Sequence, residues 1–422
     1  MKFLRVGICA LVIFGVAAHG GVEDWALAVF EVAAGLFFVV WAARCLLVSC
    51  EQLVISPLLL PLTAFALLVA GQYFFHGSAS AYETRTDFLL LFSDIIVLFL
   101  AAQAFRTLQE WRTFIWFVMI FGFALCAFGI LQHLAFNGKL YWFREMHYGG
   151  IPFGPYVNRN HFAGFAELVI PIALVPLVLG RVRRERWFVV GVFAVIPIAA
   201  LFLSASRGGI VSFGAELAVI ALWVAFRRAV GKQTLAALAV LMVALLTVSL
   251  LGVREILQRF SSMQSLEMTG AKRASMRRDT WHIFLDHPIV GTGLGTLQTV
   301  FPPYESLYDG KIVNHTHNDY LEALAETGIV GGFCCLWFLG VLFLESARRL
   351  SQANQSFSSA LQLSGLVGCC GFLVHSLVDF NLHIPANALL FFLMAHLATS
   401  DIQQLPNPAI LPARSRRHRR KP

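Results

Sequence analysis

Charge is what this 422-residue sequence has least of. Asp, Glu, Lys and Arg make up 13% of it, against 58% hydrophobic residues. Soluble domains carry about 25% charged residues, so the scarcity excludes a water-soluble enzyme or binding module. Cysteine patterning is missing as well. Cys9, Cys45, Cys50, Cys126, Cys334, Cys335, Cys369 and Cys370 lie in or beside apolar runs, and none forms a CxxC pair. They read as small hydrophobes, not a disulfide framework or a metal site. No repeat of 20–50 residues is evident. A cleavable leader lacks its cleavage site: Lys2 and Arg5 precede a short apolar run, but Ala17-Ala18-His19 is a poor A-x-A, so an uncleaved helix is expected.

What is present is a series of apolar runs near the ~20 residues that cross a bilayer. They fall at about 3–19, 25–48, 53–75, 87–105, 113–136, 161–180, 187–204, 209–226, 233–252, 329–346, 359–377 and 385–400. Lipid leaves no backbone group unpaired, so such runs must be helices. The expected fold is therefore an all-α polytopic membrane protein with about twelve transmembrane helices and one long, partly helical loop.

The net charge of +8 does not point to nucleic acid. Arg181, Arg183, Arg184 and Arg186 form one basic loop, and Arg227, Arg228 and Lys232 the next. Arg348 and Arg349 form another, and the tail carries Arg414, Arg416, Arg417, Arg419, Arg420 and Lys421. With twelve spans, all of these share one side with both termini, Arg106 and Arg112. By the positive-inside rule that side is the cytoplasm. The expected organisation is nine helices in 1–252, a large periplasmic loop at 253–328, three helices in 329–402 and a basic, disordered cytoplasmic tail at 403–422. The bacterial inner membrane is the expected location.

Polar groups gather on the periplasmic side. The densest stretch is Asn314-His315-Thr316-His317-Asn318-Asp319-Tyr320-Leu321-Glu322, which ends the long loop. Leu321, Leu324 and Gly328 have helical spacing, so a helix should start near Thr316 or Asn318. Thr316 with Asp319 resembles a capping box. His317 would then sit at a helix N-terminus, where a neutral imidazole can take a proton from a hydroxyl; a plain capping role fits the spacing equally. A metal held by His315, His317 and Asp319 is disfavoured, because alternate residues diverge once a helix begins. No metal and no cofactor are expected.

Arginines supply the complementary charge. Arg207 sits in Ser204-Ala205-Ser206-Arg207-Gly208-Gly209, between two apolar runs. It can hold phosphate bidentately or simply snorkel to the interface. Met276 to Leu285 has helical spacing and His287-Pro288 ends it. On that helix Arg273 and Arg277 share a face that Trp281 extends, with Arg278 adjacent; an anion there would relieve their repulsion, although a solvated basic face is the commoner meaning. Gly291-Thr292-Gly293-Leu294-Gly295 lacks the preceding strand of a nucleotide loop and reads as a flexible turn. Asn158-Arg159-Asn160-His161 opens the sixth run, with Asn160 as a candidate cap over N–H groups that suit an anion. His375, Asp379, Asn381, His383 and Asn387 flank the last periplasmic turn. Asp94, Glu167 and Glu216 lie within runs and should face the bundle interior. Arginines, a candidate base and a membrane boundary on one side fit displacement of a lipid diphosphate, a good leaving group once its charge is neutralised.

These residues resemble the O-antigen ligase and polymerase superfamily. His317-Asn318, nine residues, then Gly328-Ile329-Val330-Gly331 fits the family's signature. The Ser-Arg-Gly turn at Arg207 is similar to the family's, as is Arg277-x-x-x-Trp281 followed by Pro288 and Gly291-x-Gly293. Asn158-Arg159-Asn160-His161 and Asp379-Phe380-Asn381-Leu382-His383-Ile384-Pro385 look like segments of bacterial members. The resemblance covers roughly 150–390; the first five runs match in hydropathy alone.

The resemblance implies a GT-C-like, metal-independent glycosyltransferase whose donor is a glycan on undecaprenyl diphosphate. The acceptor would be lipid A–core for a ligase, a second repeat unit for a polymerase, or a protein for an O-oligosaccharyltransferase. By analogy His317 is the base or acceptor-positioning group, and Arg207 and Arg277 bind the diphosphate. Arg278, Asn318, Arg159, His161, Asp379 and His383 are expected around the substrate, and inversion at the anomeric carbon is expected. One dominant periplasmic loop tilts the reading to the ligase mode. From another class, a transporter of small anions such as bicarbonate would run through Asp94, Glu167 and Glu216, but no matched pair of broken helices is evident. A scaffold without catalysis is the third alternative.

Overall fold

The structure, a computed structural model, describes residues 1–48, 52–145, 151–227, 270–352 and 356–402. The expected span at 233–252, the loop up to residue 269 and the basic tail from 403 lie outside the described residues. Twelve helices carry the description: α1 (Lys2–Ala17), α2 (Asp24–Leu47), α3 (Leu59–Phe74), α4 (Ala81–Ala104), α5 (Leu108–Leu134) and α6 (Arg159–Val178), then α7 (Trp187–Leu203), α8 (Arg207–Phe226), α9 (Gly270–Asp286), α10 (Asp319–Gln352), α11 (Phe357–His375) and α12 (Pro385–Thr399). No strand occurs among the described residues beyond two isolated bridges. Among the described residues, eight helices (α2, α4, α5, α6, α7, α8, α10 and α11) are long and apolar enough to cross a membrane, whereas α3 and α12 are shorter apolar helices. The chain is an all-α polytopic membrane protein. α9 is the exception in composition and belongs to the long loop.

Caps start these helices where the sequence has short polar side chains. Thr107 and Glu110 form a reciprocal capping box on α5, and Ser206 Oγ accepts from Gly209 N–H at the start of α8. The middle of the bundle is α6 and α11, whose apolar windows are 94% and 78% buried. Small residues permit that closeness: Gly368 of α11 lies against the backbone of Glu167 and Leu168 in α6. Pro171 and Pro176 sit inside α6, and each removes the N–H that would bond the carbonyl four residues before it. Asp94, Glu167 and Glu216 are buried, as their position within apolar runs requires. Glu167 is paired with His375 of α11, Nδ1 to Oε1, at 2.8 Å.

α10 is two helices joined at a break. Gly328 has φ 63° and ψ −165°, a conformation L side chains rarely adopt. The N–H groups that the break releases are met from the long loop: Ile329 N–H donates to Pro288 O (2.8 Å) and Val330 N–H to Ile289 O (3.2 Å). A Cβ on Gly328 would collide with the Ile289 backbone. This accounts for the first glycine of the Gly-x-x-Gly motif as a docking point for the loop.

The loop is tied down at a second place. Gly291, Gly293 and Gly295 all have positive φ. The turn they form wraps the Glu326 carboxylate, which accepts from Gly295 N–H (2.9 Å) and Leu297 N–H (2.8 Å). It is a fastened turn, not the flexible one expected. Gln72 of α3 reaches in as well, donating to the carbonyls of Val290 (2.6 Å) and Glu326 (2.8 Å). Beneath α9, Met276, Ile283, Leu297, Phe301, Val313 and Ala325 form a separate apolar core against the first turns of α10. The outcome is a rigid cap on one end of the bundle. The starts of α6, α8, α10 and α12 and the end of α11 meet there.

Candidate functional site

Asp319 joins the two polar segments of this end. Its N–H donates to Ser376 O (2.9 Å), and its carboxylate accepts from Leu382 N–H (3.3 Å) and His383 Nδ1 (3.0 Å). Asn318 adds Nδ2 to Leu377 O (3.0 Å), while its Oδ1 accepts from Leu321 N–H (2.9 Å). The helix therefore begins at Asp319 with Asn318 as its cap. The expected Thr316–Asp319 capping box is absent, because Thr316 Oγ1 is 3.0 Å from Thr280 Oγ1 of α9 and Asp319 is engaged with the turn at 376–383. On α6 the cap is displaced by two residues the other way: Asn158, not Asn160, is the cap, accepting from Asn160 N–H at 2.9 Å. Asn318 thus has both ends of its amide on backbone groups.

His317 lies just before the cap in a left-handed conformation, φ 55°. A non-glycine residue there costs about 1–3 kcal/mol and persists only where its surroundings hold it. What holds it is Asp379: His317 Nδ1 donates to Asp379 Oδ1 at 3.2 Å. Asp379 is buried, 1% exposed, and the same oxygen accepts from Phe380 N–H (2.9 Å). His161 Nε2 stands 3.8 Å from it. Burial alone would push this carboxyl up. The His317 hydrogen bond and the neighbouring imidazoles of His317, His161 and His375 outweigh it and hold Asp379 well below the usual carboxylate range. An ionised Asp379 can only accept, so His317 Nδ1 carries the proton of this bond and Nε2 points away from the carboxylate. Phe380 is the platform between the rings. His315 stacks on it at 4.3 Å, and His161 and His317 meet it edge-on at 4.7 and 4.9 Å.

A second histidine cluster stands beside the first. His315 Nδ1 donates to Glu322 Oε1 (2.7 Å), and Glu322 Oε2 accepts from Thr316 N–H (2.7 Å). His383 bridges Asp319, through Nδ1, and Glu322, whose Oε1 is 3.4 Å from Nε2. Burial disfavours the His383 imidazolium, but the Glu322 and Asp319 carboxylates overcome it and push the ring up to about 10. His315, Glu322 and His383 offer ligand atoms within 4.8 Å of one another, the set best placed among the described residues to hold a metal ion. It differs from the His315–His317–Asp319 set weighed on the sequence: His317 turns to Asp379, and Asp319 backs His383. Each of the three is already bonded within the protein, so an ion would have to displace those bonds. His383 and His315 are thus committed to α10, and His383 faces carboxylates rather than open space.

The arginines arrive from three elements. Arg207 is the first residue of α8 and is exposed, and the α8 start is pressed against the site: a Cβ on Gly208 would meet His375 and Val378. On α9, Arg273, Arg277 and Thr280 fall on one face, and Thr280 contacts Thr316, one residue from His317. Arg277 is half-buried on that face, and no hydrogen bond or ion pair is recorded for it among the described residues. Arg278 points elsewhere, donating to Ser306 Oγ (2.9 Å) and lying 3.8 Å from Asp279. The two adjacent arginines therefore face different surroundings. Arg159 is buried, 5% exposed, at the start of α6, with its N–H on Ile151 O (2.8 Å). Its burial makes it part of the frame around His161. Sequence reasoning quoted Glu322 and Phe380 only as members of longer segments and gave neither a role. An isolated Phe next to an apolar span, and a Glu in a helix, carry no local mark of such roles.

A model of the O-antigen ligase family matches residues 192–336, roughly a third of the chain. The segment includes Arg207, Arg277, Arg278 and the His317-to-Gly331 motif; Arg159, His161, Asp379 and His383 lie outside it. No curated protein matches the chain. It is residues 192–336, with the histidine motif at the end of the long loop and the glycine break behind it, that match the O-antigen ligase family.

Proposed function

We propose that the protein transfers a glycan from undecaprenyl diphosphate to an acceptor hydroxyl at the periplasmic face of the inner membrane, in the ligase mode with lipid A–core as acceptor. The family match supports a ligase- or polymerase-type activity. The observation that carries the mechanism is the 3.2 Å bond from His317 Nδ1 to buried Asp379. It directs the unprotonated Nε2 away from the carboxylate, and Asp379 stabilises the imidazolium that forms once a proton is taken.

In this reading the acceptor hydroxyl gives its proton to His317 Nε2 as its oxygen bonds to the anomeric carbon. The carbon–oxygen bond to the diphosphate breaks on the opposite face, and undecaprenyl diphosphate leaves with the electron pair. The product is inverted at that carbon. Arg207 and Arg277 neutralise the charge growing on the leaving diphosphate. His161 packs on Phe380 behind the dyad, so it acts by positioning. The step needs no metal, since the leaving group requires charge neutralisation and the nucleophile a base, and the chain supplies both.

The test is transfer of a labelled glycan from undecaprenyl diphosphate by purified His317→Ala and Arg207→Ala proteins, with lipid A–core, a second lipid-linked repeat unit and a protein offered as acceptors. Loss of transfer in both variants, with lipid A–core preferred by wild type, is expected. Wild-type rates in either variant would refute the assignment of that residue, and preference for the repeat unit would make the protein a polymerase.

A further inference from the structure

At the end of the bundle opposite His317 lies a cavity of about 240 Å³. α6 separates the two: it begins with Arg159 beside the site and ends, after 20 residues or about 30 Å, next to this cavity. Arg112 from the first turns of α5 and Arg181, Arg183 and Arg186 from the connection to α7 line it, and no acidic residue does. Arg112, Arg183 and Arg186 are exposed, while Ile172 and Val190 in the same lining are buried. The cavity is therefore basic at its mouth and apolar at its floor.

Two features point to what it takes. Guanidinium groups around one small space repel one another unless an anion lies among them, and no ion pair is recorded for Arg112, Arg183 or Arg186 among the described residues. They rest instead on rings, Arg112 over Phe357 at 4.9 Å and Arg186 over Trp116 at 5.6 Å, which fixes them at the mouth. Directly beyond Arg186, Phe188 is 79% exposed and Val189 44%. A guanidinium rim next to apolar side chains open to the bilayer is the boundary between headgroup and acyl chain. Basic pockets between helices on the positive side of a membrane protein suit anionic headgroups.

We infer that this cavity binds the phosphoryl headgroup of an anionic membrane phospholipid, with the acyl chains running down the outer faces of α5 and α7. Bidentate guanidinium–phosphate pairing suits one phosphoryl group or two. The site is remote from the His317 dyad and does not depend on the proposed transfer.

The experiment is native mass spectrometry of the full-length protein released from detergent, titrated with phosphatidylglycerol or cardiolipin and, separately, with phosphatidylcholine. Arg183→Ala/Arg186→Ala is compared with wild type. Arg348→Ala serves as the control, since it removes a positive charge paired with Glu345 outside the cavity. Anionic lipid should be retained by wild type and by the control and weakened at least about tenfold in the double variant, with phosphatidylcholine bound weakly by all three. Equal retention by the double variant would overturn the proposal. So would displacement of phosphatidylglycerol by inorganic phosphate at matched concentration, which would make this a site for free anions. Stronger retention of polyprenyl diphosphate than of phosphatidylglycerol would assign the cavity to the isoprenoid lipid and overturn the phospholipid choice.

Discussion

Two histidine–carboxylate clusters lie side by side on the same face, built from the same residue types, and they differ in one respect. In the first, His317 is held by Asp379 through Nδ1, and among the described residues no carboxylate is recorded on its other nitrogen. In the second, His383 lies between Asp319 and Glu322, and Glu322 also takes His315 and the Thr316 N–H. The second cluster is closed. It joins the long loop, the start of α10 and the turn before α12. The first is open, and its backbone is held in a conformation that costs energy. Histidine next to carboxylate does not mark a reactive site; what the second nitrogen faces does.

The comparison breaks most sharply at Asp379. Replacement with Asn should remove a charge-assisted hydrogen bond, about 1.5–3 kcal/mol, and lower the transfer rate by roughly 10–100-fold in a steady-state assay with unchanged expression. A rate within twofold of wild type would show that Asp379 does not orient the base. Arg277→Ala and Arg278→Ala come next. About tenfold or more of the transfer rate should be lost in the first, since one diphosphate contact is worth at least ~1.4 kcal/mol, and a few-fold at most in the second, whose guanidinium is engaged by Ser306. The reverse order would place the diphosphate on the outer side of α9.

Gly328→Ala tests the frame rather than the chemistry. Its φ of 63° and the abutting Ile289 backbone should cost at least about 1–3 kcal/mol, read as a lower melting temperature and faster proteolysis of the loop at 288–290. The smallest effect is expected from pH. His383 is raised above the ordinary histidine value of about 6.5, so its contribution is fully present below that value. It is lost as the pH rises through about 10. Melting temperature should therefore fall from mildly to strongly alkaline solution, and His383→Gln should flatten that fall. An equal alkaline slope in the variant would mean that another group carries it.

Local signals carried the fold further than the site. Apolar runs marked the membrane helices, because lipid imposes length and composition on each span independently. His317 was legible through its motif. Its partner was not: Asp379 is 62 residues away, and nothing within either segment encodes the pairing. The expected caps at Asn160 and Thr316 each lie two residues from the observed ones, Asn158 and Asn318, because several neighbouring side chains can each accept from a helix N-terminus and tertiary bonds decide among them. Gly328 was readable as one of the two glycines spaced within the motif, but the broken helix behind it depends on the carbonyls of Pro288 and Ile289. Which way Arg277 and Arg278 face could not be read until Ser306 and Thr316 fixed the rotation of α9.

The open and closed clusters are separated most directly by measuring single-turnover transfer and melting temperature together on His317→Ala and His383→Ala. The account predicts that His317→Ala loses about 10²–10⁴-fold in transfer at near wild-type stability, while His383→Ala melts earlier and keeps most of its transfer rate per folded molecule. If His317→Ala transfers normally, or if both variants lose transfer and stability in parallel, the division between a reactive and a structural histidine is wrong.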